Sequence, residues 1–148
     1  MWNKITIEEL ENTLQLLSNN KAAGPSKITY EFFKHLGKEG KLTLLEFLNL
    51  FLEKSVMPPS WKHSLIYPIA KNNKEWNLEL SNTRPIVLLE TSRKCFTKII
   101  TTRLAMICKQ RDILKGPNFA ELPGESTMEP IHLLNNICED AREYNREL

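Results

Sequence analysis

Two prolines stand in or at the head of the two short apolar runs of this chain, and they constrain its fold more than any other feature. HSLIYPIAK (63–71) carries Pro68, and PIVLL (85–89) opens on Pro85. The first run is too short and too rich in β-branched and aromatic residues for a helix. Pro68 cannot donate to a ladder, so this run is an edge strand; a proline at the first residue of a second strand is tolerated. The polar stretch KNNKEWNLELSNT (71–83) lies between them. The two runs therefore read as an antiparallel pair with a long polar tip.

The remaining sequence is written with a helical period. Thr6 and Glu9 make a capping box, and Ile7, Leu10, Leu14 and Leu17 recur at helical spacing over 7–19. NNKAAGPSK breaks the helix at a Gly24-Pro25 turn. Tyr30, Phe33 and Leu36 mark a short helix that Gly37 or Gly40 can end. LTLLEFLNLFLEK (42–54) is apolar nearly all round and predicts a helix buried on every side, stopped by the prolines of VMPPSW. Thr91 is expected to cap a long helix with Phe96, Ile99, Ile100, Leu104 and Ile107 as its buried stripe. After the loop KGPNFAELPGES, Ser126 and Glu129 suggest a second capping box, with Pro130 in the first turn and Ile131, Leu134, Cys138 and Ala141 along the face. The expected fold is α+β, mostly helical, with one small antiparallel β element in a single domain over 1–148.

Composition removes several classes. No run approaches the roughly 18 apolar residues of a membrane span. The opening MWNKITIEEL lacks the basic and apolar segments of a secretory signal, so an intracellular location, nuclear or cytoplasmic, is expected. Cys95, Cys108 and Cys138 form no CxxC pair, and His35, His63 and His132 are scattered, so free thiols and no metal site are expected. The net charge of +2 hides an uneven distribution. Residues 1–61 are neutral, residues 62–111 carry +7 and residues 112–148 carry −5. The basic middle third either attracts polyanions or is an ordinary lysine-rich solvated face.

The end of the polar stretch, SNTRPIVLLETSRK (81–94), sharpens that choice. Pro85 holds Arg84 in extended geometry, so the guanidinium leaves the backbone at the base of the strand pair. Lys71 ends the other strand. Paired strands then put two cations across from each other at the mouth of one loop, an arrangement suited to a polyphosphate: arginine offers a planar fork and lysine a point charge. The alternative is two surface cations flanking a hairpin.

WKHSLIYPIAK followed by NTRPIVLLETSRKCFTKIITTRL resembles the fingers region of reverse transcriptases from non-LTR retroelements and group II introns. KAAGPSKITYEFFKHL is similar to the block upstream, and FAELPGESTMEPIHLLNNICEDAREYNREL to the loop and helix leading into the palm. The blocks come in the family's order from about Ile7 to Leu148. The resemblance implies that Arg84 contacts the triphosphate of an incoming nucleotide, with Lys71 assisting. It implies that Gly24 and Pro25 shape the mouth of the template channel, and that Phe119 and Gly124 lie near the template-primer. Lys62, Lys74, Arg93, Lys94 and Lys98 are candidates for nucleic-acid backbone contacts on charge and position. The implied partners are an RNA or DNA template-primer and a deoxynucleotide triphosphate.

Ala70, Ser26-Lys27, Glu121 and Glu125 depart from the family's usual residues and read as drift. Polymerisation in this family needs magnesium held by palm aspartates. This chain has two aspartates, Asp112 and Asp140, and neither follows an apolar strand. The expectation is therefore a fragment of an RNA-directed DNA polymerase, inactive by itself, with no catalytic residue, metal ligand or cofactor of its own. The alternative is a non-enzymatic remnant: a helical module that binds nucleic acid weakly or has no function.

Overall fold

Helix α1 (Ile7–Leu16) starts where its capping box dictates: the Glu9 amide donates to the Thr6 hydroxyl and the Thr6 amide to the Glu9 carboxylate, each at 3.2 Å. The computed structural model of the chain describes residues 3–72, 79–111, 113 and 126–147. Two short elements and a long helix follow α1: α2 (Tyr30–Lys34) and α3 (Lys38–Lys54), then a 3-10 turn at Pro59–Lys62. The strands are β1 (Leu65–Ala70) and β2 (Thr83–Leu88), and the remaining helices α4 (Thr91–Gln110) and α5 (Met128–Glu143). The fold is α+β, mostly helical with one two-stranded antiparallel sheet, as the sequence predicts.

The chain divides into two compact units, residues 1–100 and 101–148. The core of the first is built from stripes spaced by four residues, one turn apart on a helix. Leu10 and Leu14 come from α1, Leu44, Leu48 and Leu52 from α3, and Cys95 and Ile99 from α4. Trp61 closes it. Its ring lies 5.0 Å from that of Phe51 and 5.6 Å from that of Phe96, and its indole N–H donates to the Ser92 hydroxyl at 3.0 Å. Asn49 of α3 clasps the Ile5 peptide from both sides, accepting from its N–H at 2.6 Å and donating to its C=O at 3.0 Å.

Four local expectations are corrected. Helix α3 starts at Lys38 with Gly37 as its N-cap, so Gly37 opens this helix. It buries only the Leu44 stripe and leaves Phe47 and Leu50 exposed: apolarity all round did not mean burial all round, because neighbours cover one side. Thr91 does not cap α4. It is the first residue of the helix, and its hydroxyl donates to the Ile28 carbonyl. At α5 the Ser126 hydroxyl accepts from the Met128 amide at 3.0 Å, and Thr127 precedes the helix without a side-chain cap, so the Ser126–Glu129 box does not form. The apolar face of α5 is largely open: Ala141 is buried, but Ile131 and Leu134 are exposed. Among the described residues no helix is long and apolar enough to cross a membrane.

Candidate nucleotide and nucleic-acid interface

The ribbon's register decides what its two cations can do together. Pro68 pairs with Pro85, Ile69 with Arg84 and Ala70 with Thr83. The two prolines face each other, so neither interrupts a bond that another strand residue needs. Lys71 continues the ladder one step further, its amide donating to the Asn82 carbonyl at 2.9 Å. Arg84 and Lys71 therefore do not lie directly across from each other, as a simple pairing of the strand ends suggested. They share one face of the ribbon as diagonal neighbours, a separation of about 7–8 Å with the Cβ atoms somewhat closer.

Their side chains are also differently employed. The Lys71 ammonium donates to the Ser81 carbonyl at 2.8 Å, which pulls it back over the base of the loop. Arg84 is exposed, and its guanidinium has no partner among the described residues. Arg84 thus keeps its fork open, while Lys71 would bring charge from an anchored position. The ribbon around them is unusually bare for its composition: Ile66 is 68% and Tyr67 62% exposed, and Ile69, Ile86 and Val87 are also exposed.

A second set of predicted residues converges at the start of α4. The Gly24-Pro25 turn closes through the Lys27 amide and Gly24 carbonyl at 2.9 Å. It rests backbone on backbone against the chain leaving β2: a Cβ on Gly24 would stand 2.4 Å from the Leu89 carbonyl oxygen. That contact explains the glycine. Beside it, the Ser26 amide and hydroxyl both donate to the Glu90 carboxylate, at 2.8 and 2.6 Å. The Lys94 ammonium donates to the Ala22 carbonyl at 3.0 Å and sits 5.7 Å from the centre of the Tyr30 ring. Arg93 donates to the Trp61 carbonyl at 2.6 Å. Each of these two cations, expected to stand out toward a polynucleotide, thus bonds a main-chain carbonyl of its own protein. Lys62 and Lys98 are exposed. Lys74, Phe119 and Gly124 lie outside the described residues, as do Asp112, Glu121 and Glu125.

Burial shapes two ionisable groups here. It raises the Tyr30 hydroxyl above its ordinary 10.0, with the neighbouring Cys95 adding to the rise. It pushes the Cys95 thiol up to about 12, with Lys94 pulling weakly the other way. Both groups are neutral at physiological pH. Among the described residues no three His, Cys, Asp or Glu side chains come together as a metal site.

Sequence reasoning missed two long-range contacts, Ser26 with Glu90 and Ser92 with Trp61. The partners lie 64 and 31 residues apart along the chain, and no local pattern records such pairings.

No family model matches the chain. Among curated proteins it is 31% identical over 143 residues to the probable RNA-directed DNA polymerase from transposon BS of Drosophila melanogaster, covering 95% of this chain and 16% of that protein. It is 29% identical to the corresponding protein from transposon X-element of the same fly, again over 95% of this chain and 16% of the relative. It is 27% identical to the transposon TX1 uncharacterized 149 kDa protein of Xenopus laevis, over 93% of this chain and 10% of the relative. Along nearly its whole length, this chain is a reverse-transcriptase-related region, homologous to one part of the RNA-directed DNA polymerases that transposons encode.

Proposed function

We propose that these 148 residues supply the fingers elements of a transposon-type RNA-directed DNA polymerase, as one partial domain. Arg84 would bind the triphosphate of the incoming deoxynucleotide, with Lys71 adding charge from its anchored position on the same face. The Gly24-Pro25 turn and Lys62, Lys74, Arg93, Lys94 and Lys98 would border the path of the template-primer, with Phe119 and Gly124 in the loop nearest to it. The carboxylates that hold the metal would come from outside this stretch. One observation carries the reading: Arg84 is exposed at the mouth of a proline-paired ribbon, and its guanidinium is unpartnered among the described residues.

The test exchanges these residues for the corresponding stretch of the transposon BS polymerase and measures primer extension. A charge-assisted hydrogen bond contributes about 1.5–3 kcal/mol. Arg84→Ala should therefore raise the nucleotide KM by about tenfold to a hundredfold. Arg84→Lys should recover only part of the loss, because an ammonium lacks the fork. An Arg84→Ala chimera with the parent's KM would refute the role.

A second reading is favoured by the carboxylate inventory. With only Asp112 and Asp140 as aspartates, the stretch by itself would act as a nucleic-acid-binding helical module without enzymatic activity. Binding by the isolated chain without any primer extension would agree with this reading.

A further inference from the structure

We propose that the cavity lined by Phe33, Phe47, Trp61 and the Glu90 carboxylate is a binding site for a primary alkylammonium group. The site is separate from the Arg84 face and takes a ligand of the opposite charge. The cavity measures about 210 Å³. That is small against the roughly 300–1,000 Å³ of sites for drug-sized ligands, and it suits one short unbranched chain. Four parts of the first unit build it: Phe33 from α2, Phe47 from α3, Trp61 from the 3-10 turn, and Glu90 with Ser92 where the chain enters α4.

Glu90 supplies the charge. It is 7% exposed, and among the described residues its carboxylate has no Lys, Arg or His partner. Its bonds come from the Ser26 amide and hydroxyl, one to each oxygen. These neutral donors and the N-terminus of α4 stabilise the anion without neutralising it. Buried charges are ordinarily paired. The two cations nearest to Glu90 in sequence are committed elsewhere, Arg93 to the Trp61 carbonyl and Lys94 to the Ala22 carbonyl. A carboxylate offers about four lone-pair sites, so Ser26 leaves acceptor capacity on both oxygens.

The walls decide which cation fits. The Phe47 and Trp61 rings stand at 79° with centres 6.2 Å apart, so they form a corner and not a flat stacking platform. Aromatic rings attract a cation and give an alkyl chain an apolar surface. A guanidinium gains most from a fork onto both oxygens of a carboxylate and from a ring face to stack on. Ser26 already engages both Glu90 oxygens. An ammonium is compact, and one open lone pair suffices for it. Ser92 offers a further acceptor: its hydroxyl oxygen takes the Trp61 indole N–H at 3.0 Å and keeps a second lone pair.

The experiment titrates the 148-residue chain with n-pentylammonium and follows the indole N–H signal of Trp61 by proton–nitrogen NMR, assigned with Trp2→Phe and Trp76→Phe variants. Trp61 borders the cavity, so its signal should shift in a saturable way. n-Pentanol has nearly the same shape without the charge and should bind at least about tenfold more weakly. Glu90→Gln should weaken n-pentylammonium binding by about the same factor. Phe47→Leu should weaken it about two- to fivefold with Glu90 in place. Phe47 is 39% exposed, so this variant still decides the matter if melting curves show that Glu90→Gln does not fold. A lysine capped at both ends distinguishes the sources. If it binds as well as n-pentylammonium, the ligand is a protein's lysine side chain; if only the free amine binds, it is a small alkylamine; either result upholds the site. Absence of a saturable Trp61 shift, equal binding of n-pentanol, or unchanged affinity in Phe47→Leu or in folded Glu90→Gln would overturn the proposal. Tighter binding of n-pentylguanidinium would overturn the choice of ammonium.

Discussion

Ser26 and Glu90 lie 64 residues apart in sequence and are joined by two hydrogen bonds, from the Ser26 amide and the Ser26 hydroxyl to the two oxygens of one carboxylate. Glu90 is only 7% exposed and immediately precedes α4, its own carbonyl accepting from the Lys94 amide at 3.0 Å. A carboxylate at a helix N-terminus gains from the helix dipole, and the two Ser26 bonds offset its burial. Ser26, which reads in the sequence as drift from the family's usual residue, is thus half of the clasp that holds the Gly24-Pro25 turn to the exit of β2.

Removing this clasp should destabilise the first unit. Ser26→Ala should cost about 1–2 kcal/mol and Glu90→Gln somewhat more, since the charged acceptor serves two donors. In a double-mutant cycle the two changes should couple, the double variant losing less than the sum of the singles. Urea unfolding of the four proteins measures it, and strict additivity would show that the pair does not act as one.

Gly24→Ala should be worse than either. The new Cβ would meet the Leu89 carbonyl oxygen at 2.4 Å and the Glu90 amide nitrogen at 2.7 Å, and both are main-chain atoms with no rotamer to escape into. A loss of at least about 2–3 kcal/mol is expected, at the upper end of overpacking costs. Thermal melting checks it. A variant as stable as the parent would mean that the turn can lift from the strand exit without cost.

Arg93 and Arg84 should separate cleanly by stability. Arg93→Gln loses the bond to the Trp61 carbonyl and should lower stability by about 1–2 kcal/mol. Arg84→Ala touches an exposed, unpartnered side chain and should stay within about 0.5 kcal/mol of the parent. Equal effects on unfolding would contradict the difference in their surroundings.

Cys95 should be silent to thiol reagents in the folded protein while Cys108 and Cys138, both only half-buried, react. Burial raises the Cys95 thiol from an ordinary 9.0 to about 12, so the folded state holds its proton more tightly than the unfolded chain does. The associated stability is fully present below the unfolded value and is lost as pH rises from there through the folded value. Denaturation midpoints should accordingly fall above about pH 9. Cys95→Ser should flatten that fall, and rapid labelling of native Cys95 would disprove its protection.

The isolated chain should associate as its concentration rises. Both faces of the ribbon carry exposed apolar side chains, Tyr67, Ile69 and Ile86 on one and Ile66 and Val87 on the other, and α5 exposes Ile131, Leu134 and Ile137. Contiguous apolar surface of this kind drives self-association. Light scattering behind size exclusion measures it. Ile66→Thr with Val87→Thr should reduce it, since both changes fall on one face of the ribbon.

The secondary structure was legible because its causes are local. The Thr6–Glu9 box starts α1 within one turn, and the prolines confine two short runs to paired strands, where they meet as Pro68 opposite Pro85. The cations of 62–111 were visible as charge, and the order of the motifs announced the relationship to transposon polymerases. Their separate tasks were not visible. Whether an arginine holds a carbonyl or stands open depends on atoms far along the chain: Trp61 for Arg93, and no described partner for Arg84. The same dependence turned Thr91 from a cap into a tether to Ile28 and made Gly24 a contact with Leu89. It also left α3 covered along one stripe although its residues are apolar nearly all round. Periodicity and turn chemistry act within a few residues and are written in the sequence. Burial and hydrogen-bond pairing depend on which segments pack together, and only the tertiary structure decided those.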